Sequence, residues 1–372
     1  MRKETLAAQA AHKIDASTGA ITTAIHMSTT FERDIDGGYE RGYTYTRLNN
    51  PNRELLEQCI YKLEGGSAAA CFASGASAAS AIFQTLSMGD HVIAPIDCYH
   101  GTLALLRQLA TSLGLKITLV NTSDPTQVEA AIKPSTKVIW VETPANPLLT
   151  ITDISCITSI ARNAGVISVF DNTLSTPMLQ RPMEAGADLV VHSSTKYLGG
   201  HGDVQGGVVV GRSDDEIVSK IKLVQMIYGA VPSPFDCWLI LRGIRTLHLR
   251  MQLHAQNAME VAAFLQHHPK VETVYYPGLK GHSGHNVACK QMDAFGGIVS
   301  AQIKGGVAGS MEVAGKVRLF TRATSFGSTE SLIEHRASIE GPETTTPDNL
   351  LRLSIGLENA EDLIDDLTQA LA

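Results

Sequence analysis

Two strings place polar, reactive side chains directly after apolar runs: VFDNT at 169–173 and VVHSSTKYLGG at 190–200. In an open parallel sheet, ligands sit in the crevice beyond the carboxyl ends of the strands. Asp171 and the run Ser193-Ser194-Thr195-Lys196 should therefore face one crevice. They are 25 residues apart, the length of one strand–helix–strand unit. A lysine there can form a Schiff base with a carbonyl cofactor. Pyridoxal 5′-phosphate (PLP) also needs a carboxylate at its pyridine nitrogen, which keeps the ring protonated and electron-withdrawing. Hydroxyls beside the lysine, on Ser193 and Thr195, suit its phosphate. On residue type alone, Lys196 is equally readable as an exposed lysine after a strand, and Asp171 as a turn or cap residue.

Three further strings could complete such a site. CFASGASAASAIFQTL (71–86) sets Ser74, Gly75, Ala76 and Ser77 before a helix-forming stretch. Small residues there let backbone N–H groups approach an anion, although the same pattern also makes a plain tight cap. Tyr99, in APIDCYHGT, could stack on a ring or be a half-buried loop residue. Arg352 interrupts the apolar run NLLRLSIGLE and needs a partner there. A substrate α-carboxylate or an internal acid would serve.

The elements that would position these residues read as an α/β chain. From about 51 to 245, helix-like stretches (RELLEQCIYKLEG, GTLALLRQLATSLG, ISCITSIARNAG) alternate with the apolar runs HVIAP, KITLVN, KVIWVE, VISVFD, LVVHSS and GGVVVG. Alternating helices and continuous apolar strands predict a parallel sheet covered on both faces. Residues 246–372 read as a smaller α+β domain. It comprises a long helix (LHLRMQLHAQNAMEVAAFLQHH), strands at ETVYYP, GIVSAQI and LLRLSIGLE, a helix near MEVAGKVRLF and a closing helix, EDLIDDLTQALA. Residues 1–50, rich in Gly, Thr and Tyr, read as an arm that packs on a neighbouring domain or subunit.

Bulk properties narrow the function classes. A 372-residue chain with 44% hydrophobic residues folds without staples and exceeds one ordinary core. A net charge of −7 argues against a nucleic-acid-binding surface. The six cysteines form no C-x-x-C pair, so reduced thiols in a cytoplasmic protein are expected. The opening residues lack a secretory signal, and no run of about 18 apolar residues predicts a membrane span. GHSGH at 281–285 and the pair His267-His268 lack any H-E-x-x-H pattern and read as loop or surface histidines, so no metal is expected.

Taken together, YTYTRLNNP, ASGASA, DCYHGT, VETPANP, VFDNT, GADLVVHSSTKYLGGHGDVQGG, ESLIEH and LLRLSIGLE resemble the cystathionine γ-synthase-like (Cys/Met metabolism) family of PLP enzymes over nearly the whole chain. The resemblance implies the PLP-dependent transferase type I fold, carbon–sulfur chemistry on amino acids, and a homotetramer of two dimers. It implies that Lys196 carries PLP and moves protons, that Asp171 pairs with the pyridinium, and that Tyr99 stacks on the ring and assists. It assigns Asn146 to the ring hydroxyl, and Gly75, Ala76, Ser193 and Thr195 to the phosphate. Tyr45 and Arg47 would reach the phosphate of a neighbouring subunit's cofactor. Arg352, with Ser325 nearby, would hold the substrate carboxylate.

The chain also departs from the family pattern. Ala76 replaces a common methionine, Gly202 replaces the serine of GHSDV, and HRASIEG (335–341) replaces HPA-x-MTH. Thr44 and Thr324 stand where γ-enzymes often carry acids, and Phe326 where leucine is common. A less charged distal pocket favours β-elimination of cystathionine, with γ-synthase or γ-lyase chemistry as the alternative.

Overall fold

The structure, a computed structural model, describes residues 1–340 and 344–372. Gly341, the last residue of the HRASIEG string, lies outside the described residues. Seven strands form the larger sheet: β1 (Ala68–Phe72), β2 (His91–Pro95), β3 (Lys116–Val120), β4 (Thr136–Glu142), β5 (Ile167–Asp171), β6 (Leu189–His192) and β7 (Gly207–Gly211). Their order is β1-β7-β6-β5-β4-β2-β3. Strands β2 to β6 pair parallel. Every residue of β2, β6 and β7 is buried, which is why these runs are apolar at each position rather than at alternate ones. β3, at the sheet's edge, is half exposed and carries Lys116 and Thr118.

The sheet is mostly parallel, with two features that the sequence reading did not specify. The run GVVVG is antiparallel to both of its neighbours. Residues 193–206 supply no crossover helix, so the chain turns back beside β6 instead of passing over a face. That return segment carries Ser193, Thr195 and Lys196. AAACF, not anticipated as a strand, is β1, the edge strand next to β7. Alanine is a weak strand former, and here the pairing Ala68↔Gly211 through Phe72↔Gly207 overrides propensity.

The second sheet contains β8 (Val271–Tyr275), β9 (Ile298–Ile303), β10 (Thr321–Arg322), β11 (Leu332–His335) and β12 (Leu350–Ser354), in the order β10-β11-β12-β9-β8. The helix expected near MEVAGKVRLF spans Gly306–Lys316 and stops short of Arg318-Leu319-Phe320. Asp366 ends it by accepting the amides of Arg318, Leu319 and Phe320 at 2.8, 2.8 and 3.1 Å, so these donors cannot extend the helix. The helix Leu247–His267 links the sheets. Leu247 and Met251 lie in the core of the larger sheet, whereas Val261 and Leu265 lie in that of the smaller one. Each such buried side chain contributes about 1.5–3 kcal/mol.

The arm contains one short helix, Lys3–Ala8, and a single bridge, Thr30↔Tyr45. It leaves Ile14, Ile21, Met27, Ile35, Tyr45 and Leu48 exposed. Among the described residues, no helix is long and apolar enough to cross a membrane, and no cluster of His, Cys, Asp and Glu could hold a metal ion.

Candidate functional site

A cavity of about 240 Å³ opens where the carboxyl ends of the larger sheet meet the smaller one. Its walls include Gly75, Ala76, Tyr99, Asn146, Asp171, Ser193, Thr195, Lys196, Ser325 and Arg352. The residues singled out in the sequence thus converge, except that Ser77 and the buried Ser194 do not line the cavity and two arm residues lie apart. Tyr45 and Arg47 lie away from this cavity: Tyr45 is 40% exposed, and Arg47 donates to the Met226 carbonyl at 2.9 Å.

Lys196 Nζ donates to Ser325 Oγ at 2.7 Å and lies 5.0 Å from the centre of the Phe326 ring. Burial, then the nearby Arg352 guanidinium, lower its amine from the usual 10.5 to about 8. Ser325 holds φ at 100°, an unusual conformation for a side-chain-bearing residue. It brings Ser325 Oγ to Lys196 and Ser325 O to Arg352 Nη2, 2.8 Å away. Such backbone costs about 1–3 kcal/mol and persists where its surroundings over-determine it.

Asp171 ends β5. Its Oδ1 accepts from the Thr173 amide (3.0 Å) and hydroxyl (2.5 Å), which leaves Oδ2 for a ligand. Behind it, Asn172 Nδ2 and His192 Nε2 both meet Glu64 Oε1, at 2.9 and 2.5 Å, tying β5 and β6 to the helix Pro51–Glu64. Burial pushes the Asp171 carboxyl upward, so a cationic partner would relieve it.

Glu142 escaped the sequence reading. It sits opposite Asp171 on the adjacent strand and is 3% exposed. Its oxygens accept the amides of Tyr99 and Asn146, both at 2.8 Å. One carboxylate therefore fixes two loops of the cavity. Burial and the Asp171 charge push its carboxyl up. Two strand-end acids on neighbouring strands, at Glu142 and Asp171, were the signal that could have revealed it.

Arg352, in β12, is nearly fully buried. Nη1 donates to Asn146 Oδ1 at 2.9 Å, and Nη2 also pairs with Glu334 on β11. So the internal acid foreseen as one option for Arg352 is present. Its Nε nevertheless has no partner among the described residues, and a buried N–H left so costs about 1–3 kcal/mol. An incoming carboxylate would satisfy it. Thr324 and Phe326 also line the cavity. Its only lining carboxylates among the described residues are Glu142 and Asp171.

The residues fit PLP. Gly75 heads the helix Gly75–Phe83 so close to Ser193 that an added Cβ would lie 2.8 Å from Ser193 Cβ, so only glycine allows this approach. Ala76 follows it in the first turn, where a main-chain N–H suffices for an anion. The Thr195 hydroxyl donates to Gly206 O at 3.1 Å and accepts from Gly206 N at 3.0 Å, and rotating its O–H would turn that donor toward a phosphate. Gly202, the departure within GHGDV, has φ 69°, a left-handed conformation that glycine adopts without cost.

Comparison with known proteins agrees with this geometry. A cystathionine gamma-synthase of Mycobacterium tuberculosis is 44% identical over 99% of this chain and 96% of its own length. A cystathionine beta-lyase of Coxiella burnetii is 41% identical over 99% and 97%. The solved structure of metB from Corynebacterium glutamicum superposes with a TM-score of 0.97 at 42% identity, covering 100% of this chain and 98% of that one. With its lysine, strand-end acid and helix-headed cradle in one cavity, and with residues 4–372 matching the family model, the chain belongs to the Cys/Met metabolism PLP-dependent enzyme family.

Proposed function

We propose that this enzyme cleaves the Cβ–S bond of L-cystathionine, releasing homocysteine, pyruvate and ammonia. The observation that carries this reading is the pairing of Lys196 Nζ with Ser325 Oγ beside the unpartnered Nε of Arg352, in a cavity whose only lining carboxylates among the described residues lie at the Glu142–Asp171 end. Arg352 takes the substrate α-carboxylate through Nε, which turns the Cα–H toward Lys196. Bound on Lys196, PLP supplies the electron sink that acidifies this hydrogen. Asp171 Oδ2 would pair with the pyridine nitrogen, Tyr99 would cover the ring, and Asn146 Nδ2, on the side of the amide away from Arg352, would donate to the ring hydroxyl. Gly75, Ala76, Ser193 and Thr195 would hold the phosphate.

Lys196 Nζ, whose amine is lowered to about 8, is the base that would take the Cα proton. The Cβ–S electron pair leaves with sulfur, which takes up a proton to become the thiol of homocysteine. Water then releases pyruvate and ammonia. Tyr45 and Arg47 serve the phosphate of a neighbouring copy, in keeping with their place outside this chain's own cavity.

γ-Chemistry is the second reading, favoured by the likeness to the mycobacterial γ-synthase. The test is incubation of PLP-loaded enzyme with L-cystathionine and identification of the keto acid. Pyruvate with homocysteine is the expected result. 2-Oxobutyrate with cysteine, or cystathionine made only from an O-acylhomoserine and cysteine, overturns the β-reading.

A further inference from the structure

Two departures from the family string, Arg336 and Glu340, pair with each other. Arg336 is 1% exposed and lines the same cavity as Lys196. Its Nε donates to Glu340 Oε1 at 2.7 Å, its Nη1 to Glu334 Oε1 at 3.1 Å and its Nη2 to His100 Nδ1 at 2.9 Å. Glu340 Oε2 is held in turn by the hydroxyls of Thr344 and Thr346. The chain thus carries a connected row, Glu340–Arg336–His100, ending on an imidazole in the cavity wall beside Tyr99, whose ring centre lies 4.8 Å away.

The chemistry of this row fixes a tautomer. A guanidinium has donors only, so the contact between Arg336 Nη2 and His100 Nδ1 requires a lone pair on Nδ1. Neutral His100 therefore carries its proton on Nε2. A second proton on Nδ1 would set N–H against N–H beside a cation. Burial and Arg336 accordingly lower the His100 pKa. The other charged or titratable groups around it are Arg352, Glu334, Glu340 and Tyr99. With Arg352 engaged by the α-carboxylate, His100 Nε2–H is a second, separate donor in the substrate cavity.

We propose that His100 is a specificity-determining residue whose Nε2–H donates to an oxygen at the far end of the substrate side chain, with Arg336 as the positioning residue that fixes its tautomer. This rests on the proposed amino-acid site. The shared ligand chemistry is a terminal oxygen acceptor, supplied either by the distal carboxylate of a thioether such as cystathionine or by the acyl group of an O-acylhomoserine. A side chain ending in an alkyl group gains nothing from this donor.

The test uses PLP-loaded, full-length protein with His100→Leu, His100→Gln and Arg336→Met. Turnover of L-cystathionine, O-succinyl-L-homoserine and S-ethyl-L-cysteine is compared. His100→Leu is expected to lower the ratio of kcat/KM for an oxygen-ended substrate to that for S-ethyl-L-cysteine roughly tenfold, the worth of one hydrogen bond to a charged acceptor. The loss falls mainly on KM. His100→Gln, which keeps an N–H donor, recovers most of that ratio, and Arg336→Met loses part of it. A loss confined to cystathionine identifies the distal carboxylate as the acceptor, and one confined to O-succinyl-L-homoserine identifies the acyl group. In the unsubstituted enzyme, KM for the sensitive substrate does not climb as pH rises through the ordinary histidine range, because the donor is the neutral imidazole. Equal losses on all substrates, no loss on any, or a KM that climbs as an imidazolium deprotonates near pH 6.5 overturns the inference alone. If the unsubstituted enzyme releases no pyruvate from L-cystathionine, the proposed function falls as well.

Discussion

Lys196 carries two burdens that a titration separates. In the protein without cofactor, its amine is lowered from 10.5 to about 8 by burial and by Arg352. Below pH 8, folded and unfolded chains both hold the proton, and the folded state bears the full cost of burying it. Between about pH 8 and 10.5 the unfolded chain binds more protons, so stability rises with pH through that window. Lys196→Met should therefore unfold at higher denaturant than the unsubstituted apoprotein at pH 7, by on the order of 2–3 kcal/mol. That advantage should shrink by pH 10. Urea titrations of both apoproteins at the two pH values check this, and an advantage independent of pH would mean that the amine is not desolvated. Asp171 and Lys196 were legible because polar groups follow directly after apolar strands, and Arg352 because it interrupts one. Glu142 was harder to find: it ends the strand KVIWVE as Asp171 ends VISVFD, but its partners are backbone amides of Tyr99 and Asn146, which leave no trace in residue types. His100 and Arg336 are 236 positions apart, and neither string announces the other.

At the scale of elements, the cradle depends on how closely the helix Gly75–Phe83 approaches the segment after β6. Gly75→Ala would place a methyl group 2.8 Å from Ser193 Cβ and 2.9 Å from its Oγ, so one of the two segments must move. We expect PLP retention to weaken roughly tenfold, since a helix-end anion site depends on close backbone approach. Bound-cofactor absorbance after dialysis against fixed PLP concentrations measures it, and undiminished retention would place the phosphate elsewhere. Strand positions were readable from runs such as HVIAP and KVIWVE because burial on both faces demands apolar residues throughout. Strand direction was not. GVVVG has the same residues whether it runs parallel or antiparallel, and only the length and content of the link from His192 to Gly207 decide. β1 was concealed by alanines, which favour a helix over a strand.

For the whole molecule, the arm is the open question that subunit mixing answers. With Tyr45 and Arg47 outside their own chain's cavity, Arg47→Ala and Lys196→Ala should each abolish or sharply reduce activity. Co-expressed, the two variants should regain about one quarter of the unsubstituted activity, because half of the dimers are mixed and each mixed dimer keeps one intact site. No recovery would mean that the arm serves its own chain or only packs. The apolar side chains that the arm leaves exposed, Ile14, Ile21, Met27 and Ile35 among them, form the surface such an assembly would cover.

The strand that bears Arg352 lies between β11 and β9, at the centre of the second sheet, although it is the last strand of the chain. A ribosome making about 5–20 residues per second needs roughly 8–30 s to pass from His192 to Leu350. By the end of that interval the segment bearing Lys196 has long been made, while β9 and then β11 have been made without the strand that joins them. Unpaired strand edges of the second sheet therefore stay open until Leu350–Ser354 has been made, and a chaperone that covers them has most to do just before that strand arrives.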